Sequence, residues 1–300
     1  MKDHIDIIML LVDEIEEGIS NDLTIKKLSD TVGLSPWHLQ RLFKSIVGDT
    51  LGSYVRGRRL ALSVEMLSEA NLGIIDIAIA TGFSSHEAFT RSFKEYYNLT
   101  PKEFRKSKPY IQTNRKPMLR ADLYSHICNT ISKEPDIVVQ KEINLVGFDA
   151  QIQSPFSSNR DCCGQLFNAW SELFKNKDSI ENKVDDQYYG VTLSPSGFFN
   201  EEELQYIAGV PVGENKGVKN TVVHKVDEKL TAKFCIDEIS HDNVNMTIDY
   251  IYGFWLPNSD YIRDSGNDYE VFSNVGYTGD LSTADLSKAT CHYVIPIRSK

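Results

Sequence analysis

The sequence predicts two parts: an all-α domain of two helix-turn-helix units, followed by an α+β domain with a duplicated strand-helix-strand pattern. Three observations predict it. Residues 1–108 carry apolar residues at helical spacing, with Pro36 and Pro101 each at a helix start. A motif in that stretch recurs after about fifty residues, the signature of a duplicated supersecondary unit. From residue 136 onward short β-type runs take over, interrupted by two helical stretches. A chain of 300 residues suits two domains. The boundaries expected are 1–108 for the helical domain, 109–130 for a linker and 131–300 for the α+β domain.

The first element, Met1 to Val12, holds the run Ile7 to Val12 flanked by Asp3, Asp6, Asp13 and Glu14. With no basic leader, it reads as an amphipathic helix and not as a signal peptide. Helices over Ile25–Thr31 and Ile75–Thr81 follow, each ahead of a glycine, Gly33 or Gly82, that suits a sharp turn. A second helix follows in each unit, with Pro36 after Ser35 marking the start in the first copy. Its core face is Leu39, Leu42 and Phe43 in one copy, Phe89 and Phe93 in the other. Gly33 to Lys44 resembles Gly82 to Lys94 once one residue is inserted in the second turn. Arg41 then aligns with Arg91, Phe43 with Phe93, Lys44 with Lys94 and Thr50 with Thr100.

Opposite the core face lie Trp37, Gln40 and Arg41 in the first copy and His86, Glu87, Thr90 and Arg91 in the second, each set one exposed stripe. These residue types suit base edges: Arg for guanine, Gln for adenine, Thr and Trp for thymine methyls, Glu for the cytosine amine. Lys44, Lys94, Arg56, Arg58 and Arg59 are candidate phosphate contacts. The net charge of −10 argues against nucleic acid until it is mapped. Residues 23–108 carry 13 basic against 8 acidic groups, whereas 1–22 carry 1 against 7 and 109–300 carry 18 against 27. A basic segment lies between acidic ones, and phosphates respond to the local charge. Double-stranded DNA is the partner expected.

In the second half, strands are expected at Ile137–Val139, Tyr188–Leu193, Ala232–Ile236 and His292–Ile297, with helices near 162–176 and 243–256. The set Ile137–Ile152, Gln165–Phe174, Tyr188–Leu193 and Tyr206–Val212 recurs as Val222–Ile239, Val244–Trp255, Tyr269–Phe272 and His292–Ile297.

Ser35-Pro36-Trp37-His38-Leu39-Gln40-Arg41-Leu42-Phe43-Lys44 resembles the first recognition helix of the AraC/XylS family. Tyr54 to Leu60 looks like the start of that family's linker helix. Ile77-Ala78 to Gly82-Phe83, Phe89 to Lys94 and Pro101 to Arg105 look like its C-terminal signature. The resemblance covers roughly 15–108. It implies that both recognition helices enter successive major-groove segments about 34 Å apart, and that RNA polymerase is a partner. His86-Glu87 departs from the two glutamines of the closest subgroup, which implies a different half-site with Glu87 excluding some sequences.

Phe167 to Phe174, Tyr206 to Val212, Tyr252 to Ser259, Tyr269 to Phe272 and Tyr293 to Ile297 resemble the GyrI-like domain. Ile239-Ser240-His241-Asp242 stands where that family has a glycine. The resemblance implies a small-molecule effector, amphipathic and often cationic, with Glu270 as the pocket acid. The aromatic candidates beside it are Trp170, Tyr206, Tyr252, Trp255 and Phe167. A carboxylate among aromatic rings attracts a lipophilic cation by charge and by cation–π contact. The same rings also suit a helix core face, and a salt bridge would equally account for Glu270.

Cys128, Cys162, Cys163, Cys235 and Cys291 form neither a disulfide framework nor a metal pattern, so no metal or cofactor is expected. Together with the lack of a membrane-spanning run, they suggest a reduced, cytoplasmic protein without a membrane partner. The chain reads as a transcription regulator, an activator, and not an enzyme. The alternatives are a C-terminal domain that hydrolyses small electrophiles with Glu270 as base, or one that serves as a protein-interaction module.

Overall fold

Capping groups set the limits of the N-terminal helices in a computed structural model that describes residues 4–69, 72–107, 116–156, 163–197, 199, 201–213, 220–275 and 289–300. Cys162 and the connector's first residues, 109–115, lie outside these. The chain forms two units, Met1–Cys128 with Asp249–Asn258, and Asn129–Ile248 with Ser259–Lys300.

In the first unit, α1 (His4–Glu17) buries Ile8, Leu11, Val12 and Ile15. The Thr24 hydroxyl accepts from the Lys27 N–H to start α2 (Ile25–Val32), which ends at left-handed Gly33. Ser35 accepts from the His38 N–H to start α3 (Pro36–Val47), which ends at Gly48, φ +76°. The long α4 (Leu51–Glu69) and then α5 (Ile74–Ala80) follow. Ser85 accepts from the Ala88 N–H to start α6 (His86–Tyr97), and Asn98 supplies the left-handed end, φ +58°. Thr100 and Glu103 cap each other at the head of α7 (Pro101–Ser107). Thus Ser35 corresponds to Ser85, Gly48 to Asn98 and Thr50 to Thr100, a uniform offset of fifty. The extra residue of the second copy lies in its turn, after Gly82. There φ is +76° and a Cβ would lie 2.8 Å from the Ile19 carbonyl oxygen. The Phe93 ring packs against those of Phe89, Tyr97 and Phe104 in the second copy's core, with Leu60, Val64 and Ile77. A further helix, α8 (Ala121–Asn129), occupies the end of the stretch read as a linker.

The second unit is one antiparallel sheet. Its strands are β1 (Asp136–Gln140), β2 (Ile143–Gln153), β3 (Tyr188–Leu193), β4 (Glu203–Pro211), β5 (Val222–Val226), β6 (Lys229–Ile236), β7 (Tyr261–Arg263), β8 (Asp268–Ser273) and β9 (Thr290–Ser299). The order is β1-β6-β9-β8-β3-β4-β2-β5, with β7 beside β9. From the centre outward, β3-β4-β2-β5 mirrors β8-β9-β6-β1, so the duplication expected from sequence is a two-fold relation about the β3–β8 pair. The sequence merged β1 with β2 and β5 with β6. The chain instead breaks at residues 141–142 and 227–228, and each repeat's first strand joins the other repeat's second. Those breaks also force curvature. β1 and β2 are six positions apart in the sheet, roughly 29 Å if flat, yet their joining residues reach only about 10 Å.

Strand alternation gives the sheet two faces. Tyr189, Val191, Tyr269 and Val271 pack with Leu145 and Val294 on one. Tyr206, Ala208 and Val210 pack on the other with Leu173 and Trp170 of α9 (Cys163–Asn176). The second predicted helix starts earlier than expected, at α10 (His241–Tyr250), because the Ser240 hydroxyl accepts from the Asn243 N–H. It then widens into a π-helical turn, Ile251–Trp255. Pro257, which has no N–H to return to residue 253, follows two residues later.

Candidate nucleic-acid interface and ligand site

Burial of its apolar residues turns the opposite face of α3 outward. Leu39, Leu42, Phe43 and Val47 are buried, while Trp37, Gln40, Arg41 and Lys44 are exposed. The Trp37 indole is 66% exposed, far more than core packing of a tryptophan would leave. The Arg41 guanidinium lies 4.5 Å from the Trp37 ring centroid, a cation–π pair one helical turn apart. In α6, Phe89, Phe93 and Tyr97 are buried and Glu87, Arg91 and Lys94 are exposed. His86 and Thr90 are half-buried, and their side chains approach to 3.5 Å. Hydrogen bonds from its own backbone N–H and from Ser85 hold the Glu87 carboxyl below its usual range. It therefore stays ionised at the head of α6, where the helix dipole also favours a negative group.

Between α3 and the second copy lies a cleft of about 710 Å³, lined by Trp37, Arg41, Lys44, Arg56, Phe83 and Ser92 among others. Of the five basic residues read as phosphate contacts, Lys44, Lys94 and Arg56 are exposed. Arg58 and Arg59 correct that reading. Arg58 forks onto Glu16 at 2.7 and 2.9 Å. Arg59 donates to the carbonyls of Ile19 and Asn21. Both guanidiniums tie α4 to the α1 region. The acidic stretch before residue 23, which spacing along the chain could not connect to α4, is what holds them.

In the second unit the two-fold relation sets Gly190 of β3 directly opposite Glu270 of β8. They are also each other's equivalents, Tyr189-Gly190-Val191 against Tyr269-Glu270-Val271. The Tyr206 hydroxyl, from β4, donates to Glu270 Oε2 at 2.6 Å, and the Trp170 indole N–H donates to that hydroxyl at 3.1 Å. A Cβ at Gly190 would overlap both Tyr206 Oη and Glu270 Oε2, so glycine there leaves the room in which the pair forms. Phe272 stands edge-on to Trp170 at 5.2 Å, and Trp170 stacks on Phe174 at 6.0 Å.

Burial pushes the Glu270 carboxyl up to about 7, and the hydrogen bond from Tyr206 opposes that rise. The same burial raises the Tyr206 phenol well above its usual range, so the phenol stays a donor. Among the described residues, the partner of Glu270 is a phenol and not a cation. The carboxyl is thus poised between protonated and ionised forms near neutrality, amid aromatic rings.

The structure brings three of the six candidate ligand residues together: Trp170, Tyr206 and Glu270. Phe167 lies on α9 one turn before Trp170 and is 52% exposed. Tyr252 is buried and Trp255 half-buried in the π-helical turn, within the segment counted with the first unit. Gly190 and Phe272 were missed. The corresponding sequences Tyr-Gly-Val and Tyr-Glu-Val carried a signal for Gly190; Phe272 stood in the matched strand without distinguishing chemistry. No helix among the described residues is long and apolar enough to cross a membrane.

Comparisons with known proteins agree with both halves. Residues 28–107 match a helix-turn-helix domain family, and residues 133–298 match the family described as a GyrI-like small molecule binding domain. The right origin-binding protein of Escherichia coli is 36% identical over 291 residues, spanning 95% of each chain. The probable transcription factor PqrA of Proteus vulgaris is 48% identical over 91 residues, covering 30% of this chain and 71% of PqrA. The multiple antibiotic resistance protein MarA of Escherichia coli is 38% identical over 95 residues, covering 32% of this chain and 75% of MarA.

Proposed function

Because this chain belongs to the AraC-type DNA-binding transcription regulators that carry a GyrI-like small-molecule-binding domain, we propose that it is a cytoplasmic activator whose effector is an amphipathic cation. The observation that carries the ligand class is the Tyr206–Glu270 pair. It is a half-buried acid beside Trp170 and Phe272, held by a neutral donor and raised to about 7 by loss of water around it. Burying a carboxylate without a counter-charge costs several kcal/mol, whereas an incoming cation supplies that charge and lies against the rings. The neutral acid keeps the site stable when empty, and the ionised acid binds the ligand. This is a binding role and not a catalytic one.

On the DNA side, Trp37, Gln40 and Arg41 read one half-site and His86, Glu87, Thr90 and Arg91 the other, with Lys44 and Lys94 on phosphates. The support is the exposure of Trp37, Gln40, Arg41 and Lys44 in one copy and of Glu87, Arg91 and Lys94 in the other, at a fixed offset of fifty residues. Activation follows if the bound protein contacts RNA polymerase. Ligand acts on output only through a difference in affinity between two states.

The test is transcription by purified RNA polymerase from a promoter bearing the protein's best site. An aromatic quaternary ammonium ion should raise transcript yield with the wild type and leave Glu270→Gln unresponsive. No change with any cation that binds the wild-type protein would remove the sensor reading. Turnover of a neutral ester by the wild type and not by Glu270→Gln would favour the hydrolase.

A further inference from the structure

We infer that the π-helical turn Ile251–Trp255 is a positioning element for the first reading helix, acting through Lys116 and Asp49. The inference rests on the reading of α3 as a base-reading helix, and it assigns to it residues far outside the helix-turn-helix repeat.

Asp49 stands between the C-terminal end of α3 and the start of α4, and it is 2% exposed. Its Oδ1 accepts from the Thr50 N–H at 2.7 Å, and its Oδ2 receives the Lys116 ammonium at 2.6 Å. Lys116 is equally buried, and its Nζ also donates to the Gly253 carbonyl at 2.5 Å. The same ammonium lies 4.0 Å from the Phe254 ring and 5.9 Å from Tyr54, and the two rings stack. All of these groups belong to one unit, in which Asp249–Asn258 is grouped with Met1–Cys128.

Each link has a chemical reason. A helix-forming sequence would bond the Gly253 carbonyl to the N–H four residues on, but that residue is Pro257. The freed carbonyl serves as acceptor for a buried ammonium, which needs acceptors to replace its lost water. Gly253 cannot be larger, since a Cβ would overlap the Pro117 ring next to Lys116. The neighbouring backbone is fixed as well: Arg58 donates to the Lys116 carbonyl at 2.9 Å, and the Leu119 N–H donates to the Tyr54 hydroxyl at 3.1 Å. Lys116 is therefore a pin with one end in the π-helical turn and the other on Asp49. Asp49 in turn holds the turn between Gly48, where α3 ends, and the start of α4, and through that turn it positions the face α3 presents to DNA. The π-helical turn continues the α10 helix without a break in the chain.

The test uses the full chain. Affinity is measured by fluorescence anisotropy for the best natural site and for a random duplex of equal length at one salt concentration, with thermal unfolding alongside. Phe254→Leu keeps apolar volume and removes the ring; Lys116→Met removes the pin; Lys116→Arg keeps the charge. The expected result is a roughly tenfold loss of the specific-to-random affinity ratio in Phe254→Leu and Lys116→Met, with partial recovery in Lys116→Arg. Random-duplex affinity should be unchanged in all three. A role confined to stability would lower the melting temperature and leave the ratio of the folded protein intact. A ratio within twofold of wild type in folded Phe254→Leu overturns the inference, even if Lys116→Met does not fold. A wild-type protein that shows no preference for its best site fails earlier, and takes the base-reading assignment with it.

Discussion

Replacing Tyr206 with phenylalanine should move the titration of Glu270 upward by about 1–2 pH units. The substitution removes one oxygen, the donor of the 2.6 Å bond to Glu270 Oε2, and leaves the ring volume in place. A hydrogen bond to a charged group is worth about 1.5–3 kcal/mol, and about 1.36 kcal/mol corresponds to one pH unit. The carboxyl starts from about 7. At neutral pH its ionised share should therefore fall from about half to between roughly 1% and 10%. Affinity for a permanently charged aromatic ammonium ion should drop about 5- to 50-fold at pH 7 and recover above pH 9. In the wild type, log affinity should rise one unit per pH unit below about 7 and level off above it, because a bound cation must first displace the proton. The assay is calorimetric binding across pH 5–10, paired with carbon-13 NMR of labelled glutamate carboxyls. A midpoint in Tyr206→Phe that stays with wild type, or moves down, would refute the argument that the phenol supports the ionised acid.

Glu270→Gln should lose cation affinity and its pH slope together, while the variant unfolds at the wild-type denaturant concentration or higher at pH 8. The raised carboxyl makes the folded chain hold a proton that the unfolded chain releases between about pH 4.5 and 7, so this group's contribution to stability falls as pH rises through that window. His126 acts in the opposite sense. Burial pushes it down to about 4, so stability should fall as pH drops from 6.5 toward 4, and urea unfolding of wild type against His126→Gln reads the difference. Arg41→Ala should weaken the specific site by about 1–3 kcal/mol and leave a random duplex unchanged at fixed salt, as gel-shift competition would show.

Much of the fold was legible because duplication writes the same pattern twice. Ser35 and Ser85, Thr50 and Thr100, Phe43 and Phe93 keep their spacing, and each pair takes the same structural place. β3 coincides with its expected span because Tyr188–Leu193 is a short run rich in aromatic and β-branched residues. The sequence did not show the breaks at 141–142 and 227–228, since curvature and strand exchange are long-range properties and two polar residues mark many kinds of loop. Glu270 was legible as an acid in an apolar strand; its donor Tyr206 was among five aromatic candidates that spacing could not rank. The fates of Arg58 and Arg59 were not legible either. Whether an arginine meets phosphate or Glu16 depends on where α1 packs, and the local pattern of α4 does not record that.

Selection of binding sites from a random duplex library tests the central claim most directly, using wild type, Arg41→Ala and Arg91→Ala. The account predicts an asymmetric wild-type consensus of two blocks about one helical turn apart, with each substitution erasing one block and sparing the other. A single block lost in both variants, or no enriched block at all, would contradict it.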